Sequence, residues 1–259
     1  MPARTQTGAI INTLYRVRSN SLAPEVLANV TSSLNAVSAL AFSCNSPVRN
    51  LNKGDCEYLS RVGFAGMGAN PTGNSNIWIG NNGPNVFTFT NRASNPNADI
   101  ILVLWDQSNG FASSFVTAHA PKLTISIPFG QSITVSMNHG VSGAFSALYR
   151  HVTSVSPNGQ VFNTWGEFTT GNFATINVSR LPNMGGNQFV IRVSTGCVAD
   201  NTHCSYVCKS GNTCWESGSY SLIGCTTQKN NNANLNGPNP EGGCAGWSNG
   251  SGRITTEFL

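Results

Sequence analysis

From about residue 76 to its end, the chain alternates apolar and polar side chains in short runs, which is the pattern of half-buried β-strands. Asn-Gly, Pro-Asn-Gly and Gly-Gly turn signals separate most of these runs. The predicted strands are 76–80, 85–91, 98–106, 122–130, 131–138, 144–151, 164–170, 174–181, 187–195, 219–225 and the alternating last segment 253–259. Short strands at this spacing predict an all-β fold of the sandwich type.

The N-terminal part of the chain follows a different pattern and predicts an extension. The segment 22–42 carries apolar residues at helical spacing and predicts one short helix. Residues 1–20 predict an extended arm, and the stretch through the first two cysteines to about residue 75 predicts a loop. The predicted organisation is therefore an extension over 1–75, followed by a β-sandwich over 76–259.

The composition agrees with a β-rich globular fold. Hydrophobic residues make up 39% of the chain and charged residues only 9%, while Asn, Ser, Thr and Gly are abundant and suit tight turns. The net charge is +4, but the basic residues are scattered, whereas a nucleic-acid partner requires them to be clustered. No apolar run approaches the ~20 residues of a membrane span. We therefore expect neither a nucleic-acid partner nor a membrane span.

Eight cysteines are the most informative part of the composition. Cys44 and Cys56 stand near the N-terminus, and six crowd the cysteine-rich part 197–244. These six are Cys197, Cys204, Cys208, Cys214, Cys225 and Cys244. Proximity suggests a Cys44–Cys56 bridge and three bridges within the C-terminal group, whose connectivity the sequence leaves open. A metal site with His203 is the rival interpretation, but the irregular gaps differ from zinc-site spacing. We expect disulfides, and neither a metal nor a cofactor.

Disulfides indicate an oxidising compartment, so the predicted location is extracellular or at the cell surface. Sequons at Asn29, Asn177 and Asn249 agree with secretion and are candidate glycosylation sites. The first twenty residues contain no apolar core of signal-peptide length. Secretion therefore implies either that a leader was removed ahead of this sequence or that the protein takes another route.

Motifs beyond residue 76 resemble the thaumatin-like superfamily. TWGEF (164–168) is similar to the plant family's Thr-Leu-Ala-Glu-Phe element, and INVSRLPNMGG (176–186) is similar to its Asp-x-Ser segment and following turn. The order LVLWDQ, TISIPFGQSITVSM, TWGEF, INVS is similar to a fungal secreted allergen and effector-like family of thaumatin-like appearance. The resemblance implies a disulfide-bonded thaumatin-like β-sandwich with a cysteine-rich loop region.

The resemblance also implies where a ligand cleft would lie. Glucan-active thaumatin-like proteins have a cleft formed by one arginine, one glutamate and three aspartates, and Arg150 and Glu167 occupy the first two positions here. Asn177 and Asn183 stand in place of two aspartates, and the third has no clear counterpart. Glycoside hydrolysis normally requires two carboxyl groups. The resemblance therefore implies a weakened cleft without catalytic residues.

Glu167 has three interpretations. It forms an ion pair with Arg150 that ties two strands together, it lines a ligand cleft, or it is a catalytic acid; we favour the ion pair. Such a pair would favour the ionised carboxylate, which is the wrong form for a general acid. Trp215 and Trp247 are candidates for stacking on sugar rings, although aromatic residues in cysteine-rich loops also pack beneath disulfides.

These observations favour a secreted, non-enzymatic protein that acts by binding. The resemblance associates such binding with cell-wall β-glucan or with a host protein. One alternative is a structural subunit of an extracellular or surface homo-oligomer, joined through residues 1–20. A second alternative is a weak β-1,3-glucanase that uses Glu167.

Overall fold

A computed structural model describes residues 42–94, 99–107, 115–149 and 151–259 of the 259-residue chain. The predicted arm over 1–20, nearly all of the predicted helix over 22–42, the sequon at Asn29 and the candidate cleft residue Arg150 lie outside these residues. The described part is mostly β-sheet with one short helix, which confirms the all-β prediction. None of its helices is long and apolar enough to cross a membrane.

The described residues form fourteen strands, numbered β1 to β14 in chain order, which make up two sheets. The first sheet has the order β1-β5-β2-β14-β9-β10. Its strands are β1 (Ile77–Ile79), β2 (Asn85–Asn91), β5 (Ser132–Met137), β9 (Phe189–Val193), β10 (Val198–Ala199) and β14 (Gly252–Phe258). Most neighbours are antiparallel, but β14 runs parallel to β2 and so joins the end of the chain to the beginning of the sandwich.

The second sheet has the order β12-β11-β8-β7-β6-β3-β4, and β13 pairs with β8 beside this path. Its strands are β3 (Ile100–Asp106), β4 (Leu123–Ile127), β6 (Ser142–Tyr149), β7 (Trp165–Thr169), β8 (Thr175–Ser179), β11 (Ser205–Cys208), β12 (Tyr220–Ile223) and β13 (Cys244–Ala245). All eleven segments predicted from the alternating pattern contain a strand. The three strands that the pattern did not predict, β10, β11 and β13, are two to four residues long and lie in the cysteine-rich part, where they are too short to show a period.

The main core lies between the two sheets and is rich in phenylalanine. Phe87, Phe89, Phe189 and Phe258 of the first sheet face Phe145 and Phe168 of the second, and all six are buried. Their rings meet at an angle, as in the edge-on contact of Phe89 with Phe145 at a centroid distance of 4.9 Å. Each buried ring contributes roughly 1.5–3 kcal/mol through the hydrophobic effect, so the six together are a principal source of the sandwich's stability.

A second, smaller core covers the outer face of the second sheet. It consists of residues from the segment 42–75 packed on Trp105 and Trp165, whose rings stack at 5.6 Å. The predicted loop here is wrong in one respect, since it contains the helix α1 (Lys53–Arg61). The Asn52 side chain caps this helix by accepting a hydrogen bond from the backbone N–H of Asp55 at 2.8 Å. The helix has only nine residues, too few for a clear helical pattern.

Polar side chains fasten this N-terminal segment to the sandwich. Asn70 accepts a hydrogen bond from the backbone of Thr124 at 2.8 Å and donates one back at 2.6 Å. Asp55 accepts the hydroxyl of Ser126 at 2.5 Å and pairs with His151 at 2.5 Å. The described part of the N-terminal extension is thus packed against the β-sandwich rather than separate from it.

All eight cysteines are paired, which confirms the disulfide prediction. The bridges are Cys44–Cys56, Cys197–Cys244, Cys204–Cys225 and Cys208–Cys214. The sulfurs of Cys197, Cys204 and Cys244 lie within 4.8 Å of one another, because two bridges are in contact. These sulfurs are bonded in disulfides, and metal-binding cysteines are thiolates. The arrangement is therefore a disulfide cluster, and it encloses the loop that follows Cys225.

Candidate functional site

Glu167, the centre of the TWGEF motif, lies in the interior of the protein. It is the middle residue of β7, pairs across the strands with Ala144 and Asn177, and is only 4% exposed. Its side chain lies on the opposite side of the sheet from Phe168, which belongs to the main core. Glu167 therefore belongs to a buried polar layer on the outer side of the sheet, and not to an open cleft.

Burial determines the protonation of this carboxyl group. Removal from water raises the pKa of Glu167 from its ordinary 4.5 to about 8. The group is thus largely protonated at neutral pH. The described residues contain no ion pair with Glu167, and the expected pair with Arg150 stays a prediction because Arg150 lies outside them.

Asn177 is fully buried beside Glu167 and helps to attach the loop that covers this layer. Its Nδ2 donates to the carbonyl oxygen of Gly242 at 3.4 Å, and the hydroxyl of Tyr206 donates to the same oxygen at 3.2 Å. Burial is the main cause of the raised pKa of the Tyr206 phenol, and the charge of Glu167, once that group is ionised, raises it further. Because Asn177 has no exposed surface, the folded protein leaves no room for a glycan there, and this removes Asn177 as a glycosylation candidate.

Asn183 does not join Glu167 in a common site. It lies in the turn after β8, where its Nδ2 donates to Phe162 at 3.1 Å and its Oδ1 accepts the backbone N–H of Gly185 at 2.9 Å. The amide of Asn212 donates to the same oxygen at 3.0 Å. These bonds hold two loops together, so the geometry gives Asn183 a structural role.

The two tryptophan candidates differ in exposure. Trp247 is 2% exposed and packs edge-on against Phe87 at 5.7 Å, which removes it as a residue for stacking on a sugar. Trp215 is half-buried and packs against the main core. Asn249 is exposed in the loop after Trp247 and remains a candidate glycosylation site.

The residues of the second sheet and the turns around it form an open groove of about 730 Å³ at one end of the sandwich, and sequence reasoning missed it. We call it the loop-end groove. It is lined by 139–142 from the β5–β6 turn, 169–173 from the β7–β8 turn, Asn76, Asp106, Gln107, Ser248 and Gly250. Antiparallel strands bring these turns to the same end, although they are scattered over more than 170 residues of sequence.

Hydrogen bonds between neighbouring turns make the floor of the groove rigid. The hydroxyls of Ser142 and Thr169 meet at 2.9 Å, and Ser248 accepts the backbone N–H of Gly171 at 2.8 Å while donating to Asn85. Gly171 has a φ of +88°, and a Cβ there would lie 3.0 Å from the backbone nitrogen of Gly140. Glycine at this position therefore permits the close approach of the two turns that form the floor.

The lining is polar and almost uncharged. Asp106 contributes a carboxylate, which lies 3.6 Å from the ammonium group of Lys122, and His139 contributes an imidazole. No lysine or arginine is among the described residues that line the groove. Phe173 stands on its edge and is 69% exposed. One feature of the sequence could have indicated this site. The stretch GNFAT (171–175) places a phenylalanine in an otherwise polar turn, where it is not required to fill the core.

Comparison with known proteins adds no family to this picture. No protein-family model matches the chain, and no curated protein matches it. The groove's chemistry and the buried state of Glu167 are therefore the observations on which a function is argued.

Proposed function

We propose that this is an extracellular, non-enzymatic thaumatin-like β-sandwich that binds a neutral cell-wall polysaccharide of the β-1,3-glucan type in the loop-end groove. The observation that carries the proposal is the groove itself, with hydroxyl and amide groups on its floor and Phe173 on its edge. The four disulfides support an oxidising, extracellular location.

The chemistry of the groove suits a sugar. Sugar hydroxyls both donate and accept hydrogen bonds, as do the Ser, Thr, Asn and Gln side chains of the lining. The carboxylate of Asp106 is an acceptor for a donating hydroxyl. An exposed aromatic face provides an apolar surface for the C–H face of a pyranose ring. Phosphate or nucleic acid would instead require lysine or arginine.

A binding role is better supported than catalysis. Glu167 is buried and is not among the described residues that line the groove. A ligand bound in the groove therefore does not reach its carboxyl group, even though that group is protonated. The described residues that line the groove include one carboxyl group, that of Asp106, whereas glycoside hydrolysis normally uses two. The glucanase alternative therefore gains no support from these positions. The homo-oligomer alternative rests on residues 1–20, outside the described part, and stays a prediction.

The test is binding of β-1,3-glucan by the purified protein and by two phenylalanine variants. Phe173→Ala removes the aromatic face and is expected to weaken binding about tenfold, which corresponds to about 1.4 kcal/mol. Phe129→Ala is the matched control, since Phe129 is 41% exposed in the β4–β5 turn at the other end of the sandwich. Co-sedimentation with insoluble glucan and calorimetry with soluble glucan give the affinities.

Two results would overturn the proposal. One is no detectable binding of β-1,3-glucan by the wild-type protein. The other is equal loss of binding in both phenylalanine variants, which would show that the groove is not the site. The protein is tested without a glycan on Asn249, because that side chain adjoins the groove residues Ser248 and Gly250.

A further inference from the structure

A second depression adjoins the loop-end groove, and we call it the side recess. It has a volume of about 650 Å³ and is lined by 73–76, Trp78, Asn82 and Asn138. Asn76 lines both the groove and the recess. The two spaces therefore lie next to each other on the same end of the molecule.

The boundary between the two spaces is a pair of asparagines. The side-chain amide of Asn138 donates to Oδ1 of Asn76 at 3.2 Å, and the backbone N–H of Asn138 donates to the carbonyl of Asn76 at 3.0 Å. The next residue, His139, already belongs to the groove. Both asparagines are exposed. The boundary is thus a low polar ridge on which amide groups face solvent.

The recess has the same chemistry as the groove. It carries the four asparagines Asn74, Asn76, Asn82 and Asn138, and no charged side chain is among its described lining residues. The indole N–H of Trp78 donates to Oδ1 of Asn82 at 2.8 Å, which orients that amide. Carboxamides offer both donors and acceptors, so the recess is suited to sugar hydroxyls and not to an ionic ligand.

We infer that the groove and the side recess bind successive units of one linear polysaccharide chain, with the Asn76–Asn138 ridge between the two subsites. This inference rests on the proposed function and extends it from a sugar-binding groove to a chain-binding surface. Either space alone lies within the roughly 300–1,000 Å³ typical of a small-molecule pocket. Two such spaces, adjoining and open to solvent, fit a polymer better than a monosaccharide.

The experiment measures the affinity of the full chain for β-1,3-linked gluco-oligosaccharides of increasing length. The wild-type protein is expected to bind the longest members at least about fivefold more tightly than the shortest that it binds, since a second subsite adds hydrogen bonds. The recess variant is Asn74→Gly combined with Asn82→Ala. Glycine suits position 74, where φ is +55°. This variant is expected to bind short oligosaccharides as the wild type does and to lose the gain with length.

The outcomes separate the two proposals. If the wild type binds no member of the series, the proposed function fails, and this inference fails with it. If short members bind in a way that depends on Phe173 but length brings no gain, the chain-binding inference fails alone. A gain with length that persists in the recess variant also overturns the inference, provided that thermal unfolding shows that variant to be folded.

Discussion

The TWGEF stretch and the loop-end groove are both polar regions of the same sheet, yet they differ in almost every physical respect. Glu167 and Asn177 are buried in the middle of β7 and β8 beneath a loop, while the groove residues lie on turns at the strand ends. The first region is a set of positions that resembles a known cleft, and the second is an accessible surface. The comparison shows that a matching motif locates a strand, whereas accessibility decides whether its side chains meet a ligand.

The largest expected effect comes from the disulfides that hold the loop over Glu167. Cys197–Cys244 closes a sequence separation of 47 residues, whereas Cys208–Cys214 closes only 6. The loop-entropy model predicts how much the free energy of unfolding falls when both cysteines of a bridge are replaced by alanine. The expected loss is about 4 kcal/mol for Cys197 and Cys244, and about 2 kcal/mol for Cys208 and Cys214. Urea unfolding measures both losses. Equal losses would mean that the number of residues closed by a bridge does not determine how much that bridge stabilises the fold.

The second largest expected effect is a pH dependence of the protein's stability, which tests whether the Glu167 carboxyl group is buried. Its folded-state pKa of about 8 lies above the ordinary 4.5, so the folded state holds its proton more tightly than the unfolded state does. The stabilisation that the protonated Glu167 contributes to the folded state is therefore fully present below about pH 4.5 and is lost as the pH rises through about 8. The expected loss is about 2 kcal/mol between pH 6 and pH 8.

Glu167→Gln is the matched variant for this pH dependence, because glutamine has nearly the same shape and does not titrate. Urea unfolding at a series of pH values should show a smaller decline of stability for Glu167→Gln than for the wild type. Identical slopes would contradict the burial of a protonated carboxyl group. No decline between pH 6 and pH 8, together with stability that rises as the pH rises toward about 4.5, would instead indicate the ionised Glu167 expected for a pair with Arg150.

The sequence predicted the strands better than the site, for a physical reason. Alternation along NVFTFTN or QSITVSMN is a local property, and β2 and β5 form where it occurs. The groove depends on which strand ends meet, which is a property of sheet order that no local pattern contains. Cysteine spacing likewise predicted that the cysteines pair, whereas the contact of Cys197–Cys244 with Cys204–Cys225 follows from the folded loop.

The amides at the resembling cleft positions illustrate the same limit. Asn177 and Asn183 were singled out because they replace aspartates, and each proves to hold a loop through backbone hydrogen bonds. Sequence shows that the charge is absent but not what the amide binds instead. Trp247 was a sugar-stacking candidate for its place in a polar loop, but the loop folds its ring inward onto Phe87.

The smallest expected effect is the response of glucan binding to salt, and it distinguishes the groove from any charged site. The described lining has no lysine or arginine, and its one carboxylate lies near Lys122. Screening therefore has little charge–charge attraction to weaken. Raising NaCl from about 0.05 M to about 0.2 M should change the dissociation constant for β-1,3-glucan less than about twofold. A nucleic acid bound through many of its phosphates loses about 10³-fold or more in affinity over the same range. Calorimetry at the two salt concentrations measures this, and a strong salt dependence would contradict the binding of an uncharged ligand through hydrogen bonds and ring stacking.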